Sequence, residues 1–230
     1  MDNNLSPTDD AGEIEARLAM PLAHAMLTQR AVRRVRPEPV NDAIVLRCLE
    51  LALEAPTGSN GQNWQFVIVK DRSVKAALAA QYRRAWRPYH SLAGSAKDEQ
   101  TTRIMRSVEW QVDNFEQIPV LVVCCLQGGY RVPFLPLPPV ARSSHYGSIY
   151  PSVQNLLLAA RSIGLGAALI TIPLWSNTVA RRILELPSKV EPCCIVTLGW
   201  PLGRYGRKPR KPVGKVVHLD HYGQQPWAGL

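Results

Sequence analysis

Two hydrophobic rhythms run along this chain, and the switches between them mark out its elements. Ile44, Cys48, Leu51 and Ala55 recur at helical spacing, the stripe of an amphipathic helix. Asn41 or Asp42 can cap it, and Pro56 ends it for want of an amide hydrogen. Phe66–Val69 is continuously apolar, as a strand covered on both faces would be. From Ser73 to about Gln117 the pattern is mostly helical, with a charged, poorly patterned middle at 87–100. A strand at Pro119–Leu126 follows, then an aperiodic, proline-rich stretch, Gln127–Ser144, of the kind used for lids and interfaces. Ser152 is placed to cap a helix that is apolar almost all round, and Gly164 to stop it. Ala167–Ile172 and Cys194–Leu198 read as strands on either side of a short helix, Ser176–Leu186. This order predicts an α+β fold with one mixed sheet flanked by helices. Residues 1–18 read as a flexible acidic tail and 19–230 as a single domain.

Composition narrows the function classes. With 46% hydrophobic residues in 230, the chain can bury a substantial core. Its formal charge of +9 calls for an anionic partner, either nucleic acid or the phosphates of small molecules. The arginines are spread over many elements and form no single tract. Tyr82-Arg83-Arg84-Ala85-Trp86 interleaves bases and aromatics as nucleic-acid grooves do. A helix that turns Tyr82 and Trp86 onto one face accounts for it without a ligand. The five cysteines include the adjacent pairs Cys124-Cys125 and Cys193-Cys194 in apolar runs, which fits buried reduced thiols. Cys-x-x-Cys is absent and the histidines show no zinc spacing, so no metal is expected. The acidic start is unlike a secretory signal. Arg161, two glycines and Pro173 break the run Leu156–Trp175, against a membrane span. The expectation is a cytoplasmic protein that meets neither membrane nor nucleic acid.

Three segments carry candidate chemistry. Ala55-Pro56-Thr57-Gly58-Ser59-Asn60-Gly61-Gln62-Asn63-Trp64 joins helix to strand with small residues, amides and hydroxyls. Gly58 and Gly61 are positioned to let the backbone turn sharply and a ligand approach it, while Asn60 and Gln62 offer paired donors and acceptors. Gln29-Arg30-Ala31-Val32-Arg33-Arg34-Val35-Arg36 holds four arginines; if extended, Arg30, Arg34 and Arg36 share one face and Arg33 takes the other. Gly206-Arg207-Lys208-Pro209-Arg210-Lys211-Pro212 is a second basic run. Each alone is also what a solvated loop or charged surface looks like.

Together these segments resemble the nitroreductase family, in which Ala-Pro-Ser-x-x-Asn-x-Gln-Pro-Trp is a common flavin-binding loop. Thr57 stands for the common serine and Asn63 for the proline; Gln29 and Ala31 replace an arginine and a serine of the first basic segment. The similarity extends through Gly147–Gly166 and spans about Leu22 to Gly223. It implies a mostly antiparallel sheet, a homodimer with two FMN sites at the subunit interface, and a C-terminal extension from Val213 reaching onto the partner. The implied FMN contacts are Arg30, Ala31 and Arg33, then Pro56, Thr57, Gly58, Asn60 and Gln62, then Thr171 and Ile172 near flavin N5, and Lys208 and Arg210 at the phosphate. Arg33 would sit at the pyrimidine edge, where a cation stabilises reduced flavin.

The resemblance further implies that NADH or NADPH reduces the flavin, departs, and is replaced by a small oxidant such as a nitroaromatic or quinone, giving ping-pong kinetics. No catalytic side chain is required when the cofactor carries the electron chemistry. Reductive dehalogenation, flavin breakdown and azoline oxidation run on the same scaffold. A basic nucleic-acid-binding protein and a flavin store are the readings from other classes. The absence of Gly-x-Gly-x-x-Gly after any strand argues against a Rossmann dehydrogenase.

Overall fold

The computed structural model describes residues 11–92, 98–128, 143–203 and 206–229. Helices α1 (Ala11–Leu18), α2 (Leu22–Thr28) and α3 (Asp42–Leu53) lead into strand β1 (Trp64–Val69). Helices α4 (Arg72–Leu92) and α5 (Glu99–Asp113) precede β2 (Val120–Gln127). Then come α6 (Tyr150–Ile163), β3 (Gly166–Ile170), α7 (Asn177–Ile183) and β4 (Val190–Gly199). The four strands form one antiparallel sheet in the order β1-β2-β4-β3. A parallel bridge between Ala31 and Ala167 makes the sheet mixed.

The sheet separates two cores. Val122, Cys124, Val196 and Leu198 face α3 and α6; Leu121, Val123, Cys125 and Ile195 face α4, α5 and the turn at Phe115. Alternation along β2 therefore sends Cys124 and Cys125 to opposite layers, and all five cysteines are free. Burial pushes the Cys48 and Cys125 thiols up to about 12, so both are inert, packed groups.

Local signals explain most boundaries. Asn41 caps α3, its side chain accepting from the Ala43 amide at 2.9 Å. Gly164 ends α6 at φ 100°, a left-handed conformation open to glycine. Tyr82 and Trp86 do share one buried face of α4, with Tyr82 set edge-on to Phe115.

Two expectations need correction. Residues 11–18 are not a flexible tail: they form α1, whose Ile14 is 3% exposed against the α3/α6 core. Residues 1–10, like most of the proline-rich stretch, lie outside the described residues. Phe66–Val69 does carry core residues on both faces, Phe66 on one and Val67 and Val69 on the other, although β1 is an edge strand and Ile68 is exposed. Ser152 is not the cap of α6: the helix starts at Tyr150, and the Ser152 hydroxyl donates to the Ile149 carbonyl at 2.9 Å. Among the described residues no helix is long and apolar enough to cross a membrane, and no side-chain cluster could hold a metal.

Candidate functional site

The arginine segment is extended, and glycines decide where it lies. The Val32 amide donates to the Ala167 carbonyl at 2.9 Å and the Arg36 amide to the Trp200 carbonyl at 2.7 Å. A Cβ at Gly166 would stand 2.6 Å from a Val32 methyl, and one at Gly199 2.9 Å from the Val35 Cβ. These two glycines thus let the segment press against the end of β3 and β4. Val32 and Val35 are buried there, which leaves Arg30, Arg33 and Arg34 to project away from the contact.

Arg33 enters a cavity of about 330 Å³. Tyr82, Trp86 and Tyr89 of α4, Trp175, and the backbone stretch Leu169–Ile172 line the rest of it. The Arg33 Nε is buried and has no hydrogen-bond partner. Burial, reinforced by the nearby Arg30, holds the guanidinium below its ordinary value, while Tyr82 opposes the effect. Tyr82 is itself pushed up to about 12 by burial. The result is a mostly apolar, aromatic-walled chamber with one cationic side chain in its wall, whose buried Nε is unsatisfied. Pairing of β3 with β4 ends at Ile170, so Thr171 and Ile172 lie just past the ladder, facing the same space as Arg33.

A second, larger groove of about 670 Å³ adjoins it, sharing Arg33 and Ile104. Arg30, Ala31, Arg34 and Pro209 line one side, and Arg103 and Arg106 of α5 the other. Lys208 anchors the C-terminal basic run here, donating to the Met26 carbonyl at 3.1 Å and to the Gln29 carbonyl. Its ammonium is lowered by burial and by Arg210 and Arg30, which places all three charges close together. Arg210 is exposed, and its guanidinium donates to the neighbouring Pro209 carbonyl at 3.2 Å. Of the residues singled out in the sequence, Arg30, Ala31, Arg33, Thr171, Ile172, Lys208 and Arg210 are thus gathered at one sheet edge.

The Pro56 loop is elsewhere. It feeds β1 at the opposite edge, with Pro56 exposed and the Gly58 amide donating to Ser148 Oγ at 3.3 Å. Thr57 Oγ1 accepts from the Gln62 amide at 3.1 Å, and Asn60 Oδ1 from the Gln62 side chain at 3.2 Å. Its turn is not made by the glycines. Ser59, Asn60 and Gln62 take positive φ (53°, 52° and 46°), whereas Gly61 is right-handed at −70°. Three non-glycine residues in that region hold a strained, preformed loop. Three strand spacings separate β1 from β3, about 14 Å, and the register from Leu198 to Glu191 adds about 24 Å along the strands. Within one chain the loop and the arginine segment are therefore on the order of 25 Å apart.

Sequence reading passed over Tyr89, Trp175, Arg103 and Arg106. The aromatics of α4 recur as Tyr82, Trp86 and Tyr89, a helical face that serves both as core and as cavity wall. Arg103 and Arg106 carried only an i, i+3 spacing within a stretch read as mostly helical.

Fold and site together define an α+β protein with helices on both faces of one sheet and an arginine-lined, aromatic-walled cavity at one sheet edge. The nitroreductase family matches residues 26–200, and the chain belongs to that family. It is similar to the NADH dehydrogenase of Thermus thermophilus, 28% identical over 204 residues, covering 84% of this chain and 93% of that protein. It is likewise similar to 5,6-dimethylbenzimidazole synthase of Rhodospirillum rubrum, 26% identical over 202 residues, covering 86% and 87%. A crystal structure of oxidised iodotyrosine deiodinase bound to FMN and 3-iodo-L-tyrosine matches with a TM-score of 0.68 at 22% identity, covering 88% of this chain and 100% of that one.

Proposed function

We propose that this protein is an FMN-dependent oxidoreductase that draws electrons from NADH or NADPH and delivers them to a small nitroaromatic or quinone-type acceptor. The observation that carries it is an aromatic-walled cavity lined by the half-buried Arg33, whose Nε has no hydrogen-bond partner. That cavity suits a flat heteroaromatic ring with hydrogen-bonding edges, and the cationic cluster beside it suits a phosphate. Family membership and the FMN named for the deiodinase structure support the choice of cofactor.

FMN would supply two-electron chemistry at its ring. The chain would supply the rest. Arg30, Lys208 and Arg210 hold the phosphate, with Ala31 against it. Arg33 presents a fixed positive charge to the pyrimidine edge, in a setting where burial strengthens electrostatics. Thr171 and Ile172 offer backbone at the ring's reactive side. Trp86, Tyr89 and Trp175 exclude water from its face.

The Pro56 loop enters through a second copy of the chain. Pro56, Thr57, Gly58, Asn60 and Gln62 are too far from Arg33 to contact the same ring within one chain, so a homodimer would complete each site. The exposed apolar residues of the C-terminal segment, Val213 (60%), Val216 (55%) and Tyr222 (93%), support a partner surface. Deiodination-type or other flavin reactions differ in the acceptor, not in this cofactor frame. Two measurements test the proposal. Purified protein should absorb between 350 and 500 nm with about one FMN per chain, and NAD(P)H oxidation should accelerate with added acceptor in a ping-pong pattern. Colourless protein after FMN supplementation, or steep salt-dependent DNA binding instead, would refute it.

A further inference from the structure

The groove beside the flavin cavity holds more positive charge than one phosphate can use. Arg30, Arg33, Arg34, Arg103 and Arg106 line it, against a single carboxylate, Glu99, which is paired with Arg103. A flavin phosphate brings a charge of about −2 at most, and Lys208 and Arg210 add to the side that would hold it. Arg106 and Arg34 form no ion pair among the described residues and stand on opposite walls of the groove. Like charges held across an open groove repel in the free protein, so an anion between them lowers the energy of the arrangement. Helix α5 is held in this position: Asp98 caps it, accepting from the Thr101 amide at 2.7 Å, and Met105 and Val108 pack on the core that includes Tyr82 and Phe115.

We propose that Arg34, Arg103 and Arg106 form a second anion subsite, which binds the 2′-phosphate of NADPH and makes it the preferred reductant over NADH. This rests on the reading that a pyridine nucleotide visits the adjoining cavity. Guanidinium groups suit a phosphate monoester through paired donors, and the 2′-phosphate is the charge by which the two nucleotides differ. The groove opens from the cavity through the shared residues Arg33 and Ile104, so one extended molecule can occupy both. Arg103 and Arg106 are exposed, so solvent screening limits each to a modest share of the selectivity.

The test uses the purified full chain, Arg106→Gln, and Glu99→Gln. Adenosine 2′,5′-bisphosphate is titrated calorimetrically against adenosine 5′-monophosphate, and kcat and KM are measured for both reductants. Wild type should bind the bisphosphate more tightly, an advantage that shrinks as salt rises. Arg106→Gln should raise the KM for NADPH roughly three- to tenfold and lower the NADPH/NADH ratio of kcat/KM accordingly, at constant FMN affinity. Glu99→Gln, which removes the one carboxylate lining the groove among the described residues, should move the ratio the other way. The subsite is overturned if bisphosphate binding is indifferent to Arg106, or if Arg106→Gln instead raises the KM of a carboxylated nitroaromatic while the NADPH ratio holds. Failure of the flavin reading looks different: the protein is colourless, yet bisphosphate binding still falls in Arg106→Gln.

Discussion

Replacing Arg33 with methionine should strengthen the cofactor-free protein and weaken its hold on FMN. In the free chain the Arg33 Nε is buried without a partner, and its guanidinium is disfavoured by burial and by Arg30. Methionine keeps a similar length, removes the charge, and packs against Tyr82 and Trp86. Leaving a buried donor unsatisfied costs about 1–3 kcal/mol, so its removal should raise the apoprotein melting temperature by about 2–4 °C per kcal/mol relieved. The same change deletes a charge-assisted hydrogen bond to flavin worth about 1.5–3 kcal/mol. FMN affinity should fall about ten- to hundredfold. The assay is a thermal melt of apoprotein with and without FMN, beside a flavin-fluorescence titration. The variant curve should start higher and respond less to FMN. A lower apoprotein melting temperature with unchanged FMN affinity would show that Arg33 is structural and refute the reasoning.

Further outcomes follow from the same frame. Arg210→Ala should weaken FMN about tenfold, toward the low end because Lys208 and Arg30 remain, and leave riboflavin affinity almost unmoved; equal losses would remove Arg210 from the phosphate. Gly166→Ala drives a Cβ to 2.6 Å from Val32 and should cost about 1–3 kcal/mol, measured by urea denaturation, with Val32→Ala in the same chain recovering most of it. Cys48, pushed up to about 12 by burial, contributes stability that is complete below its unfolded value of about 8.5 and is lost as pH rises toward the folded one. The melting temperature should therefore fall between about pH 8.5 and pH 10, less steeply in Cys48→Ala; parallel curves would contradict the assignment.

Much of the frame was legible because periodicity and punctuation agree. Asn41, Pro56 and Gly164 act locally, and the alternation that buries Cys124 and Cys125 in opposite layers is a property of any strand. What sequence could not give was tertiary. Phe66–Val69 reads as a buried strand, but its place at the sheet edge is set by pairing partners far along the chain. Residues 11–18 read as a polar tail because one residue, Ile14, carries the anchoring contact. In the Pro56 loop the glycines drew the turn assignment, yet Ser59, Asn60 and Gln62 take the left-handed positions, held by Thr57 and Asn60 side chains. The arginine segment was visible as a charge run. Its partners on α4 and α5 were not, since only folding brings Tyr89, Trp175 and Arg106 beside it. The motif residues also looked like one site in the sequence; the sheet places them at opposite edges.

That separation yields the most direct test of the central proposal, a flavin site shared between two copies. An arginine-segment variant, Arg33→Met with Arg30→Ala, and a loop variant, Asn60→Ala with Gln62→Ala, should each bind FMN poorly alone. Mixed in equal amounts under conditions that exchange subunits, they should regain roughly a quarter of the wild-type flavin content, because about half of the dimers are mixed and each mixed dimer carries one intact site of two. No recovery on mixing, with exchange confirmed by differently tagged chains, would contradict a site built from two copies.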